Sequence, residues 1–437
     1  MVFPTLFSRG SRKSTDNVRW FGGISITTSC QRIESAVIGV HGRGNGAPVE
    51  IRKTIAFDVP REIVDSFNEL QNTLSHQEQQ CAVGKSEDVT IPASLSLHVA
   101  RELASIEEEA VQELISESKL TANDILAVGV YDPGLRAATA HGVFYQGLCD
   151  APRLAEQTGM NIIDSFPAQD IAARGNGGPV FPLPSWIFLK SETKPRIIID
   201  LGRTARLTFL PRAENAFSHL KIQQIDVVPC GSLLDTLVWQ LTGGKTSVDT
   251  GGRFAVQGCQ NLQLMSALRA SVPAREEWSP TGLKPNRYLQ ISEKAAQEGL
   301  PYQDILCTVS GFVAETIAGH ILTMMKTNEH IEAELLIQGS GQQHGLLMNS
   351  LMSQIQHRSL VPTSQLGVPV DTFDALCTAM LALLAVDHVP SNLPHLTGSE
   401  TAKPLGRITP GSIMNWHRLL CEMAGTRPAS RSLRSAM

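Results

Sequence analysis

A chain of 437 residues is too long for one ordinary core, so two domains are the default expectation. With 42% hydrophobic and 18% charged residues and a formal net charge of −5, it reads as a globular, enzyme-like protein with no electrostatic reason to bind nucleic acid. Its eight cysteines stand singly, without a CxxC pair, which excludes a zinc motif or a disulfide framework and fits a reducing cytoplasm.

Residues 1–17 place a brief apolar stretch before Arg9, Arg12 and Lys13, the reverse of a secretory signal, and are expected to be a disordered leader. Strands are predicted at Val18–Ser29, Arg32–Val40 and Glu50–Asp58, separated by polar or glycine turns, with Gly42–Gly46 as a hairpin-type loop. Helices are predicted at about Arg61–Leu74 and Leu95–Ser118, then a buried strand over Ile125–Tyr131. A helix over Ala151–Thr158, closed by Gly159, precedes a strand over Asn161–Phe166. After the proline-rich passage from Pro179 to Pro184, Arg196–Asp200 opens a second run. It repeats the first: a strand, a small-residue turn, and a returning strand over Ala205–Leu210.

The most informative stretch is Ile225–Asp235. It reads as a strand ending in the carboxylate of Asp226, a short Pro/Gly turn, and a helix carrying Asp235. An acid at a strand's C-terminal edge, facing a helix N-terminus, is where open α/β sheets place ligands and catalysis. The plainer reading is that Asp226 caps the helix from Gly231. Later helices are predicted at Tyr302–Met325, His344–Gln356 and Phe373–Val386, and the strand Glu334–Ile337 leads into Gly339-Ser340-Gly341. No segment reads as membrane-spanning, because the most apolar run, Ala379 to Val386, is far short of the roughly 20 residues a bilayer needs. The last dozen residues are expected to be a loose tail.

Two β-rich openings, each followed by α/β alternation, predict two related α/β domains around a cleft. They are expected at 18–195, completed by part of 388–425, and at 196–387. Turn motifs spaced along such halves resemble the actin, hexokinase and heat-shock ATPase superfamily. That likeness implies two RNase H-like (actin-like ATPase) domains flanking an interdomain cleft.

Other segments narrow the resemblance. Leu154-Ala155-Glu156-Gln157-Thr158-Gly159, Ile162-Ile163-Asp164-Ser165-Phe166 and the run from Gln169 to Pro179 resemble the anhydro-N-acetylmuramic acid kinases. That family writes them A-E-x-T-G, V-x-D-F-R and R-D-I-A-A-G-G-Q-G-A-P. Asn392-Leu393-Pro394 with Thr397-Gly398 is similar to its N-L-P-x-x-T-G. The Asp226 stretch is similar to its F-D-T-G-P-G-N-x-L-L-D.

The resemblance implies an ATP-dependent kinase that phosphorylates O6 of 1,6-anhydro-N-acetylmuramic acid while water opens the anhydro bridge, in peptidoglycan recycling. It implies ATP and Mg2+ as cofactors and a small amino sugar and a nucleotide as partners, without nucleic acid or membrane, and with a homodimer as the assembly considered. Asp226 matches the family's catalytic base. Thr27, Thr28, Ser29, Gln31 and Arg32 fall in its first phosphate loop, M-S-G-T-S-x-D-G-V-D, with Thr27 in place of a glycine and Gln31 in place of the acid that orients hydrated Mg2+. Gly202 and Arg203 fall in its second loop, N-I-G-G-I-A-N, which here runs from Asp200 to Arg206. Gly339 and Gly341 fall in its adenosine turn, C-G-G-G-x-x-N, with His344 as a helix-start residue. Asp170 is read as either a sugar ligand or a brace for the glycine-rich loop after it. Asp374 is read as either a sugar-side acid or a solvated helix residue. No metal ligand set is singled out among side chains. Loss of the metal-orienting acid and the backbone cradle together predicts a rate lowered on the order of 10³-fold or more. It leaves as the alternative a catalytically impaired relative that binds an anhydro-sugar or a nucleotide.

Overall fold

The computed structural model describes residues 18–82, 89–132, 134–139, 142–215, 217–273, 283–327, 332–355 and 358–425. The expected leader and tail lie outside them. The chain divides into two compact units, one made of residues 1–187 with 372–437 and the other of 188–371.

In the first unit, β1 (Arg19–Ile26), β2 (Arg32–Val40) and β3 (Val49–Asp58) form an antiparallel meander. Next, β4 (Ile125–Tyr131) lies parallel to β1. A separate hairpin of β5 (Leu135–Thr139) and β6 (Gly142–Gln146) follows, and then β7 (Ile162–Asp164) runs parallel to β4. The second unit begins with another antiparallel meander of β8 (Arg196–Leu201), β9 (Thr204–Leu210) and β10 (Gln223–Pro229). There β11 (Glu334–Gln338) pairs parallel to β8, and β12 (Leu360–Pro362) parallel to β11. Finally β13 (Arg407–Thr409) returns to the first unit, antiparallel to β7. The sheet orders are β3-β2-β1-β4-β7-β13 and β10-β9-β8-β11-β12. Apart from β13 they are the same arrangement, first strand central and third at the edge. This is the repeated actin-like topology the sequence implied.

The first sheet is buried on both faces, which is why β1, β2 and β4 read as nearly unbroken apolar runs. Ile24 and Ile26 share a core with Val99, Leu103, Ile106 and Ala110 of the helix Ala93–Ser118. The alternate residues carry the helix Phe373–Val386 on the opposite face. Glycines set that approach: a Cβ on Gly23 would run into the Ala375 carbonyl and the Ala379 amide, and one on Gly129 would lie 2.7 Å from the Thr378 carbonyl. A domain boundary near 387 would have assigned this helix to the second half. Its packing puts it in the first.

In the second unit the helix Tyr302–Thr327 is long and apolar enough, by length and composition, to cross a membrane. The sequence reading passed over it in favour of the 379–386 run. Its apolar residues Ile305, Val309, Phe312, Val313 and Ile317 are instead buried against Leu207, Val228, Leu233 and Leu237 in the unit's own core. Near Phe166, the predicted strand is shorter than expected: β7 stops at Asp164, and a short helix runs Phe166–Ala172 with a proline in its first turn.

Candidate functional site

Four polar residues lie side by side across the second sheet. Asp226 on β10 pairs with Arg206 on β9, Arg206 with Asp200 on β8, and Asp200 with Gln338 on β11. Cross-strand partners put their side chains on one face, close enough to interact. Arg206 Nε donates to Asp226 Oδ1 at 2.6 Å, with the two side chains 38% and 27% exposed. The Gln338 side chain, the register neighbour of Asp200, favours the ionised form of the Asp200 carboxyl. Burial holds that carboxyl above the usual carboxylate range, and the charge of Asp226 pushes the same way, while Arg206 opposes both.

Asp226 is not at the end of its strand. β10 continues to Pro229, and a bulge between Asp226 and Val228 breaks the regular register just beyond the acid. Bulges re-aim side chains. Nor does Asp226 cap the following helix, Gly231–Leu241. The cap position is Cys230, without a side-chain hydrogen bond, and the first amides turn to the β8–β9 loop instead. Cys230 N and Ser232 N donate to the Arg203 carbonyl at 2.9 and 3.0 Å, and Gly231 N donates to the Gly202 carbonyl at 3.0 Å. The amino end of this helix is therefore satisfied by the second phosphate-loop counterpart. Asp235 sits one turn in, with the Arg203 guanidinium as its charge partner.

Both glycine turns of this unit meet on Asp200. A Cβ on Gly339, which adopts φ +89°, would lie 2.7 Å from Asp200 Oδ1, and one on Gly202 would lie 3.5 Å from the same atom. A Cβ on Gly341 would lie 2.8 Å from Leu201 Cβ. His344, as the sequence predicted, starts a helix: its Nδ1 accepts from Leu347 N at 3.2 Å, and burial pushes its pKa down. Gln338 Oε1 is buried and has no hydrogen-bond partner. Beside the Asp200 carboxylate it completes an oxygen-only pair, the donor chemistry a hard divalent cation takes. Among the described residues, no group of three or more His, Cys, Asp or Glu gathers as a metal site.

In the first unit, the first phosphate-loop counterpart is a closed hairpin turn. Thr27 N donates to Arg32 O at 3.0 Å, and Arg32 N donates back to Thr27 Oγ1 at 3.2 Å. The hydroxyl that replaced a glycine is thus spent on the turn. Ser29 Oγ donates to Gln31 Oε1 at 3.3 Å, while Thr28 and Gln31 stay exposed. Asp374 stands in the first turn of its helix, half-buried; burial pushes the Cys377 thiol up, and the carboxylates of Asp374 and of Glu34 on β2 add to that rise.

Asp170 is fully buried, with Oδ2 accepting from Gly177 N at 2.8 Å and Oδ1 from Asn392 Nδ2 at 2.8 Å. Both oxygens are engaged within the fold, as a brace for the glycine-rich loop requires. The bond to Asn392 also joins the two best-matching segments of the chain, helped by Asn176 N donating to Thr397 O at 2.8 Å.

Sequence reasoning quoted Asp200 and Arg206 without joining them to each other or to Gln338. The signal was present: a turn centred on Arg203 sets Asp200 opposite Arg206 by simple hairpin counting. Gln338 required a parallel neighbour far along the chain.

A sequence profile described as "Anhydro-N-acetylmuramic acid kinase" matches residues 61–411. A protein of that name from Ralstonia nicotianae (strain ATCC BAA-1114 / GMI1000) is 28% identical over 323 residues, covering 71% of this chain and 81% of that protein. Another of the same name, from Bordetella pertussis (strain Tohama I / ATCC BAA-589 / NCTC 13251), is 27% identical over 400 residues, covering 90% and 96%.

Proposed function

This chain belongs to the anhydro-N-acetylmuramic acid kinase family, and on that premise we propose that it transfers the γ-phosphoryl group of ATP to O6 of 1,6-anhydro-N-acetylmuramic acid as water opens the anhydro bridge. The carboxylate of Asp226 accepts a proton from the attacking water. The water oxygen bonds to the anomeric carbon, the bond from that carbon to O6 breaks, and O6 forms a bond to the γ-phosphorus as ADP leaves. The products are the 6-phosphate of N-acetylmuramic acid and ADP.

One observation carries this reading. Asp226 is 27% exposed, and Oδ1 is held by Arg206 while no protein hydrogen bond to Oδ2 is present among the described residues. A base needs that combination of fixed orientation and one oxygen to spare. Nucleotide contacts are assigned to the Gly202–Arg203 and Gly339–Gly341 turns and to Thr27, Thr28, Ser29, Gln31 and Arg32. Asp374 is assigned to the sugar. Mg2+ is the proposed metal, supplying charge neutralisation on the transferred phosphate.

A second reading, a relative that binds sugar or nucleotide without turnover, is favoured by the closed first turn, where Thr27 Oγ1 is already engaged. One assay separates the two. Purified protein is incubated with Mg-ATP and the anhydro-sugar while ADP and the 6-phosphate are followed, with Asp226→Asn alongside. Product from the wild type and a loss of about 10²–10⁴-fold in the variant is expected. Equal turnover by the variant removes Asp226 as base, and nucleotide binding without product selects the second reading.

A further inference from the structure

We propose that Asp200, together with the side-chain oxygen of Gln338, orients the hydrated divalent cation of a metal–nucleotide complex on the second unit. The inference rests on the chain being a nucleotide-using kinase, but not on Asp226 being its base.

Three observations converge on this pair. Asp200 Oδ1 is the atom nearest a would-be Cβ at both Gly202 and Gly339, so the two turns assigned to the nucleotide meet at this carboxylate. Gln338, its register partner, is only 8% exposed, and its Oε1 is buried without a hydrogen-bond donor among the described residues. A cation, or a water from its shell, satisfies such an oxygen where no protein group does. The sequence then supplies a reason. The first turn carries Gln31, without charge, where the family's loop has its metal-orienting acid. The second turn carries Asp200 where the family's loop begins with asparagine. An acid is absent from one loop and present on the other.

The neighbouring charge sets the character of the site. The Arg206 guanidinium lies between Asp200 and Asp226 in register and is bonded to Asp226. It favours the ionised form of Asp200 but also repels a cation. One carboxylate and one amide oxygen beside a guanidinium make a weak site for a bare ion. Magnesium-like ions are ordinarily held by one or two carboxylates plus phosphate oxygens and waters. Tight cation binding should therefore require nucleotide.

Manganese is the probe, read by electron paramagnetic resonance of free ion and by broadening of side-chain amide signals in NMR. Wild-type protein should bind Mn2+ weakly alone and at least 10-fold more tightly with ADP present. Mn-ADP should broaden the Gln338 side-chain NH2 resonance. Asp200→Asn should lose most of the nucleotide-linked gain while binding ADP in EDTA as the wild type does, and Gln338→Met should lose part of it. Mn-ADP binding that is indifferent to Asp200→Asn overturns this proposal alone. If that variant does not fold, an unbroadened Gln338 signal in wild-type protein saturated with Mn-ADP overturns it equally. Failure of the wild type to bind Mn-ADP at all sinks the kinase reading with it.

Discussion

Arg206 and Asp226 are joined at 2.6 Å, yet both side chains keep contact with solvent. An ion pair that wet is worth about 0–1 kcal/mol of stability. Its consequence lies in orientation: it commits one carboxylate oxygen and leaves the other. The opposite case is Asp132, at the end of β4. It is buried, with Oδ2 accepting from Leu148 N and Cys149 N at 2.9 and 2.7 Å, while Oδ1 has no partner. Burial pushes its pKa up to about 6 against those two amides, with Asp164 adding to the rise. An unfolded aspartate titrates near 3.9. Between roughly pH 4 and 6 the folded protein therefore binds the extra proton, so stability falls as pH rises through that window and stays reduced above it. Asp132→Asn keeps an oxygen for both amides and removes the ionisation. Its stability relative to wild type should climb between pH 4.5 and 7.5 by about 2–3 kcal/mol, at 1.36 kcal/mol per pKa unit. Urea unfolding of both proteins at each pH checks this, and a difference that does not change with pH would refute it.

Strands and helices were legible where one physical signal dominated. The buried runs of β1, β2, β4 and β8 and the glycine stop after Thr158 read directly from residue types. The β5–β6 hairpin did not, because Arg136-Ala137-Ala138 carries little β preference and the pairing depends on its partner. The late helix was legible as a helix but not as part of the first unit. Its place depends on Gly23 and Gly129, which as isolated sequence letters look like weak points in good strands. The site shows the same division. Asp226 and the glycine turns came from the motifs that carry the family resemblance, whereas the polar row needed register, and Asp170's burial needed a segment more than 200 residues away. The glycine contact is testable. Gly23→Ala places its methyl group against helix backbone, which cannot give way as a flexible side chain can, so a loss of about 3 kcal/mol is expected from overpacking. Gly46→Ala meets nothing within 4 Å and serves as the control. Chemical denaturation that finds the two variants equally stable would show that the helix does not sit flush on β1.

At the scale of the whole chain, the same strand order occurs twice but is threaded differently. The second unit is one continuous segment, 188–371, and its core closes on itself: every buried residue of the cluster from Ile197 to Ile355 lies inside that span. The first unit is split. Residues 1–187 supply five strands of its sheet, but the helix covering one face and the edge strand β13 come from beyond 371. That helix is buried along nearly its whole length, so a chain ending at 187 would expose an apolar sheet face lined by Phe21, Ala36 and Ile38. The two pieces should therefore behave unequally. Residues 188–371 expressed alone are expected to give a monodisperse fragment with a cooperative urea transition. Residues 1–187 alone are expected to aggregate, and co-expression with 372–437 should rescue them. Circular dichroism and size-exclusion chromatography on the three preparations decide the matter. A soluble, cooperatively folding 1–187 would mean the late helix is dispensable to the sheet it covers. A 188–371 fragment that fails to fold would mean that its core does not suffice without the rest of the chain.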